Sequence, residues 1–182
     1  LVARFAYSAD SDGSSSTSDK GTGGDSGVLG SGWDLTLTAT SELHGVDGLT
    51  IYGGISEVDQ YQNAAANTGD SAERVLGVTY AMGGFTVGYQ DNEDDTGTTA
   101  GTYDNTMYSV TFNVNDDLSI GYAHVESDKE GGNTAEADSL QAAYTMGGAT
   151  VRIAEVDVTN SAYSTAAASQ TEGTIISLGL AF

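Results

Sequence analysis

The sequence predicts an all-β fold, a transmembrane antiparallel up-and-down β-barrel. Three observations predict it. Large apolar residues alternate with small polar ones, and a period of two belongs to strands with two unlike faces. The connections run long, short, long, short, so the long polar ones all fall at one end of the sheet. The last segment, 171–182, ends on Phe182 in mid-alternation, where a soluble domain more often frays into polar residues.

Composition narrows the class. The 182 residues make room for one domain, so 1–182 is expected to be a single barrel domain or its C-terminal portion. There is no Cys, hence no disulfide framework and no thiolate metal site. There is no Pro either, which suits a sheet without edges. Apolar residues make up 38% of the chain and never run to a helical span, but a barrel strand needs only about 9–11 alternating residues. A net charge of −21 argues against nucleic acid, whose phosphates demand Lys and Arg. Leu1 opens directly into a strand-like run, with neither initiator Met nor signal peptide. The expectation is therefore a chain that is processed or incomplete at its N-terminus.

The elements follow in order. Residues 1–8 alternate, with Ala3, Phe5 and Tyr7 opposite Val2, Arg4, Ala6 and Ser8. Residues 9–32 are Asp, Ser, Gly and Thr with little apolar content, a solvated loop. Strands are expected over 33–40 and 49–58 around a short turn at 41–48, with a polar loop over 61–72. Residues 74–82 and 85–90 form a hairpin about Gly83-Gly84. After a loop over 91–103, strands at 107–114 and 118–125 flank the turn Asn115-Asp116-Asp117. A loop over 126–136 leads to a hairpin of 139–146 and 149–158 about Gly147-Gly148. Residues 159–170 are the last loop before the final strand.

Ten strands result, and every short turn shares one rim with Phe182. The two Met-Gly-Gly hairpins echo each other, YAMGGFTV at 80–87 and YTMGGATV at 144–151. Tyr at such a rim suits an aromatic girdle. A soluble β-sandwich also alternates, but a core cannot be built from Ser, Thr and Gly, whereas a water-filled lumen is lined with them. Gly and Asp content raises calcium-binding β-helix repeats, but no nine-residue period is present.

The ending SLGLAF, the Met-Gly-Gly hairpins and the stretch YSVTFNVNDDLSIGYAHVES resemble the general diffusion porins of Gram-negative bacteria, particularly the alphaproteobacterial type. The resemblance implies a sixteen-stranded homotrimer in the outer membrane, of which ten strands are visible here. It implies a water-filled channel for passive diffusion of small hydrophilic solutes and ions. It also implies that Phe182 is the signal read by the outer-membrane assembly machinery, and that the family's constriction loop lies upstream of Leu1. No cofactor is required.

Parity selects the pore-lining candidates. Arg4, Arg152 and Asp34 lie opposite the large apolar residues of their strands. The two arginines resemble the basic cluster on the barrel wall of family porins, and charges at a narrow point select by field. Arg74 has lipid-side parity near the outer rim, where it would snorkel or meet lipopolysaccharide phosphate. Glu57, His124, Glu155 and Asp157 also have lipid-side parity, which an interface, a neighbouring subunit or a bulge would explain. Asp91, Glu93, Asp94 and Asp95, with Asp10, Asp12, Asp19 and Asp25 in another loop, are candidate Ca²⁺ ligands at the outer rim, where a divalent ion would bridge to lipopolysaccharide. No EF-hand spacing is present, and a solvated negative rim that concentrates cations is the better account of them. Two rival functions remain. A smaller barrel would act as a structural anchor, adhesin or surface receptor. An outer-membrane protease would use His124 with Glu126 and Asp128, but no paired His–Asp arrangement is visible, and His44 sits at the opposite rim.

Overall fold

The computed structural model describes residues 1–9, 29–60, 69–99 and 101–180. They form ten strands: β1 Val2–Ser8, β2 Leu29–Ala39, β3 Leu49–Gln60, β4 Ser71–Met82, β5 Phe85–Asp95, β6 Thr102–Asn113, β7 Leu118–Lys129, β8 Thr134–Met146, β9 Ala149–Thr159 and β10 Thr171–Leu180. Each strand pairs antiparallel with its sequence neighbour, and the order is β1 through β10 without a crossover. Among the described residues β1 and β10 do not pair with each other, so the sheet has two edges. The final strand pairs with β9 alone; it does not close a ten-stranded barrel. Phe182, expected above to be an assembly signal, lies outside the described residues, as do the acidic residues 10, 12, 19 and 25.

The strands run further toward the acidic rim than apolar alternation foretells. Residues 91–95 and 126–129 are strand, not loop, and β6 and β8 begin at Thr102 and Thr134. The connection between β7 and β8 shrinks to four residues, 130–133, so the strict long–short alternation fails there. The physical reason lies on the apolar face. There Phe85, Val87 and Tyr89 are followed by Asp91, Glu93 and Asp95, so both faces become polar and the pattern fades while the ladder continues. The expected turn at 41–48 contains a one-turn helix, α1 Ser41–His44.

The short turns have local causes. Gly83 and Gly147 adopt φ of 59° and 60°, a left-handed conformation that glycine takes without steric penalty. At the third inner turn the Asn115 carboxamide accepts the backbone N–H of Asp117 at 2.9 Å and of Leu118 at 2.8 Å, an Asx turn.

No hydrophobic side chain among the described residues is buried. Phe5, Leu76, Leu140, Ile176 and Leu178 are each more than 60% exposed, all on one face. The opposite face carries Thr36, Gly54, Asn92, Asn105 and Ser127 in one cross-strand row. A folded sheet of this size with no core places its apolar side against something other than itself.

Candidate functional site

The polar face is the candidate site, and register fixes which side chains share it. Arg4 lies opposite Thr36, and Asp34 opposite Ala6 and Ser56. Ser56 leads to Glu73, Glu73 to Asp94, Asp94 to Tyr103 and Tyr103 to Lys129. One row across the sheet thus carries Asp34, Glu73, Asp94 and Lys129, with Arg4 one row closer to the inner rim. A depression of about 980 Å³ is lined by Arg4, Asp34, Tyr52, Glu73, Gln90 and Asp94, among others. Within it the Tyr52 hydroxyl donates to Gln90 Oε1 at 2.9 Å. Glycine at position 77 makes room for that ring: a Cβ there would meet Tyr52 at 2.2 Å.

Asp94 sits near the acidic end of β5, beyond the apolar stretch. Burial, then the charge of Asp95, pushes its carboxyl above the usual carboxylate range. Arg152, the third sequence candidate, lies on the same face but in a separate depression of about 360 Å³. Arg4 and Asp34 therefore share one hollow and Arg152 occupies another.

Sequence reasoning missed Glu73, Asp94 and Lys129 as members of this wall, and it missed Tyr163. The β9–β10 connection folds back over the polar face. The Tyr163 hydroxyl lies 2.9 Å from Ser127 Oγ, which donates to Asn105 Oδ1 at 2.5 Å. The Tyr163 ring packs beside Tyr103 at 5.4 Å, and Lys129 Nζ lies 5.5 Å and 5.7 Å from the two ring centres. Asn133 Nδ2 donates to the Tyr163 carbonyl, and Asn160 Nδ2 to that of Thr134. Asn160, Ala162 and Tyr163 all have φ between 54° and 56°. Non-glycine residues in the left-handed region carry a local penalty of about 1 kcal/mol each, which these bonds offset. Continuing the period-two count through 91–95 and 126–129 would have found Asp94 and Lys129. No local signal marks Tyr163.

The apolar face holds the remaining candidates. Arg74 pairs with Glu93 at 2.5 Å across β4 and β5. Glu155 accepts from Thr174 at 2.7 Å. His124 Nδ1 lies 2.8 Å from Asp138 Oδ1, which also accepts the Tyr122 hydroxyl, and the His124 ring stacks on Tyr108 at 4.8 Å. The sequence showed no His–Asp pair because these residues meet only through β7–β8 register. Among the described residues no serine or threonine hydroxyl bonds to that pair. The register around Glu57, His124, Glu155 and Asp157 is unbroken; the one shift lies between Leu29 and Gly32, so no bulge turns these side chains inward.

The proposed Ca²⁺ set does not assemble. Asp91, Glu93 and Asp95 alternate with Asp94 along a strand, which puts Asp94 on the opposite face. Glu93 is taken by Arg74, Asp91 accepts from Thr106 at 3.4 Å, and Asp95 accepts the Gly97 N–H at 2.8 Å. The carboxylates that do converge among the described residues are Glu57, Asp59 and Asp70, all exposed.

No protein-family model matches the sequence, and no curated protein matches it. The structure is similar to OmpF of Salmonella typhi, solved in complex with daunomycin, with a TM-score of 0.71 and 13% identity. The alignment covers 97% of this chain and 56% of that one, so the chain spans little more than half the length of the porin it matches. The ten strands are thus an all-β, up-and-down antiparallel wall with the architecture of part of a porin barrel. In such a barrel the polar face is the inner one and the apolar face meets lipid.

Proposed function

We propose that this chain forms wall of an outer-membrane porin, a water-filled channel for passive diffusion of small hydrophilic solutes and ions. One observation carries the reading. A ten-stranded antiparallel sheet exposes most of its large apolar side chains on one face and lines the other chiefly with Ser, Thr, Asn, Gly, Ala and charged groups, with no core among the described residues. Lipid accepts the first face, and a continuous water column requires the second. Arg4, Arg152 and Asp34 then line the passage, joined by Glu73, Asp94 and Lys129, and Tyr163 narrows its outer mouth. The reading includes a Gram-negative outer membrane, contact with lipopolysaccharide, and a homotrimer of the alphaproteobacterial porin type. It includes no enzymatic step and no required cofactor.

The test is conductance. A closed barrel that contains this wall, folded from detergent into planar bilayers, is expected to give stepwise ohmic openings. A folded, membrane-inserted barrel that stays electrically silent overturns the reading in favour of an anchor or adhesin. Peptide cleavage abolished by Asp138→Asn would instead put the His124–Asp138 pair to catalytic use.

A further inference from the structure

We propose that Tyr103 and Tyr163 form an aromatic cage for organic cations on the polar face, filled in this structure by the chain's own Lys129. This deepens the porin reading, because the cage takes solutes only if the polar face meets water. Charge is divided unequally between the two faces of β7–β10. Register places all seven acidic residues of these strands on the apolar side: Glu126 faces Glu136, Asp138 faces Asp157, Asp157 faces Glu172, and Asp128 and Glu155 share their parity. The two Lys or Arg residues of the same strands, Lys129 and Arg152, lie on the other side. Among the described residues no carboxylate lies within ion-pair distance of the Lys129 ammonium. Two tyrosine rings take its charge instead. Lys129 Nζ lies 5.5 Å from the centre of the Tyr103 ring and 5.7 Å from that of Tyr163. The two ring centres are 5.4 Å apart, with the planes inclined at 46°. The three points form a nearly equilateral triangle, so the ammonium sits in the jaw of a V and meets both rings at once.

The rings are held in place without help from the lysine. Tyr163 is pinned at both ends: its hydroxyl lies 2.9 Å from Ser127 Oγ, and its carbonyl accepts from Asn133 Nδ2 at 2.9 Å. The left-handed backbone of Asn160, Ala162 and Tyr163 turns the ring back over the sheet, and Asn160 Nδ2 fastens the bend to the Thr134 carbonyl at 2.9 Å. Tyr103 is fixed by its place in β6, between Asp94 on β5 and Lys129 on β7. None of these bonds involves the ammonium, so a preorganised pair of rings remains when Lys129 swings away. Lys129 is a flexible stem bearing a compact, strongly hydrated charge, for which water competes well. A quaternary ammonium is bulkier and more weakly hydrated, and two aromatic faces suit it better. Tyr103, Lys129 and Tyr163 are each half-buried, so the jaw stays within reach of solvent. Asp94 and Glu73 continue the same cross-strand row, and their carboxylates favour a cation on that flank. Lys129 is thus a resident competitor, and the solutes that fit carry a trimethylammonium or related alkylammonium group.

The cage is tested on a closed barrel that contains this wall, folded in a maltoside detergent, which carries no ammonium group. Choline is the probe and its neutral carbon isostere the control, with association read by saturation-transfer NMR. Folding of every variant is checked by heat-dependent gel mobility. Choline is expected to bind and the isostere to fail. Lys129→Met is expected to strengthen choline binding by about twofold to fivefold, because the resident cation is gone. Tyr163→Leu is expected to weaken it by a similar factor, whereas Tyr163→Phe keeps the ring and keeps the binding. In Lys129→Met/Tyr163→Leu the gain from removing the lysine is expected to disappear. An equal gain with and without the Tyr163 ring overturns the cage, since the lost positive charge alone then accounts for it. Isostere binding equal to that of choline overturns it too. If Tyr163→Leu does not fold, Tyr103→Leu removes the other ring and decides in its place. Open channels whose choline binding ignores Lys129 and the rings overturn the cage and leave the pore reading standing. Choline binding with the expected dependence, in a barrel that opens no channels, does the opposite.

Discussion

Asp94 shows how one residue reports on the wall it belongs to. Burial and Asp95 raise its carboxyl above the usual range, so the folded chain holds this proton more tightly than the unfolded chain does. At neutral pH the group is charged in both states and the folded one bears the desolvation penalty. As pH falls through the raised value, the folded state takes up the proton first and the penalty fades. Asp94→Asn is therefore expected to be more stable than the wild type at pH 7, with the gap closing as the pH is lowered into the carboxylate range. Urea midpoints of both proteins in detergent across that interval check it, and a gap independent of pH would count against the assignment. Tyr163 reports on the same wall from the opposite direction. Three left-handed residues hold it over Lys129 and Ser127, and a sequence that would stay extended without tertiary contacts gives no hint of that fold-back.

At the scale of the strand, the two faces are expected to differ sharply in what they tolerate. Thr86 and Val87 are neighbours on β5, the first facing Thr111 on the polar side and the second Val110 on the apolar side. Val87→Arg places a charge toward lipid, where the expected cost is about 2–4 kcal/mol near the bilayer midplane and less toward the interface. Thr86→Arg places the same charge toward water and is expected to cost far less. Urea titration of folding into vesicles separates them, and equal effects would mean the faces are wrongly assigned. The same asymmetry explains how much of the fold was legible. Most strands were found because their inner halves set Leu, Ile, Val, Phe or Tyr against Ser, Thr, Gly or Ala. The outer halves of β5–β8 were read as loop because Asp91, Glu93, Glu126 and Glu136 replace those apolar residues while the period of two persists. Of the site, parity placed Arg4, Asp34 and Arg152 on one face, since parity needs only the period. Which of them share a hollow depends on register, as does the meeting of His124 with Asp138.

At the scale of the whole molecule, the apolar side toward the acidic rim is a self-repelling surface. Glu93 stands directly opposite Asp104, Asp104 opposite Asp128, Glu126 opposite Glu136, Asp138 opposite Asp157, and Asp157 opposite Glu172. Like charges in direct cross-strand pairs are destabilising. Raising NaCl from about 0.01 M to about 1 M shortens the screening length from ~30 Å to ~3 Å. The urea midpoint of the folded chain is therefore expected to rise with salt, whereas a surface built on ion pairs would weaken. A midpoint that falls with salt would mean that Arg74–Glu93 and its like dominate.

The division of charge across β7–β10 has one more consequence. Cations drawn to seven carboxylates gather on the side where those carboxylates point, within a Debye length of roughly 10 Å at 0.1 M salt. Around these strands the dense ionic atmosphere clothes the outside of the wall and not the path along it. Such a molecule can carry a large negative charge in bulk, migrate as a strong polyanion, and still present a nearly bare, faintly positive surface on the polar side of these four strands.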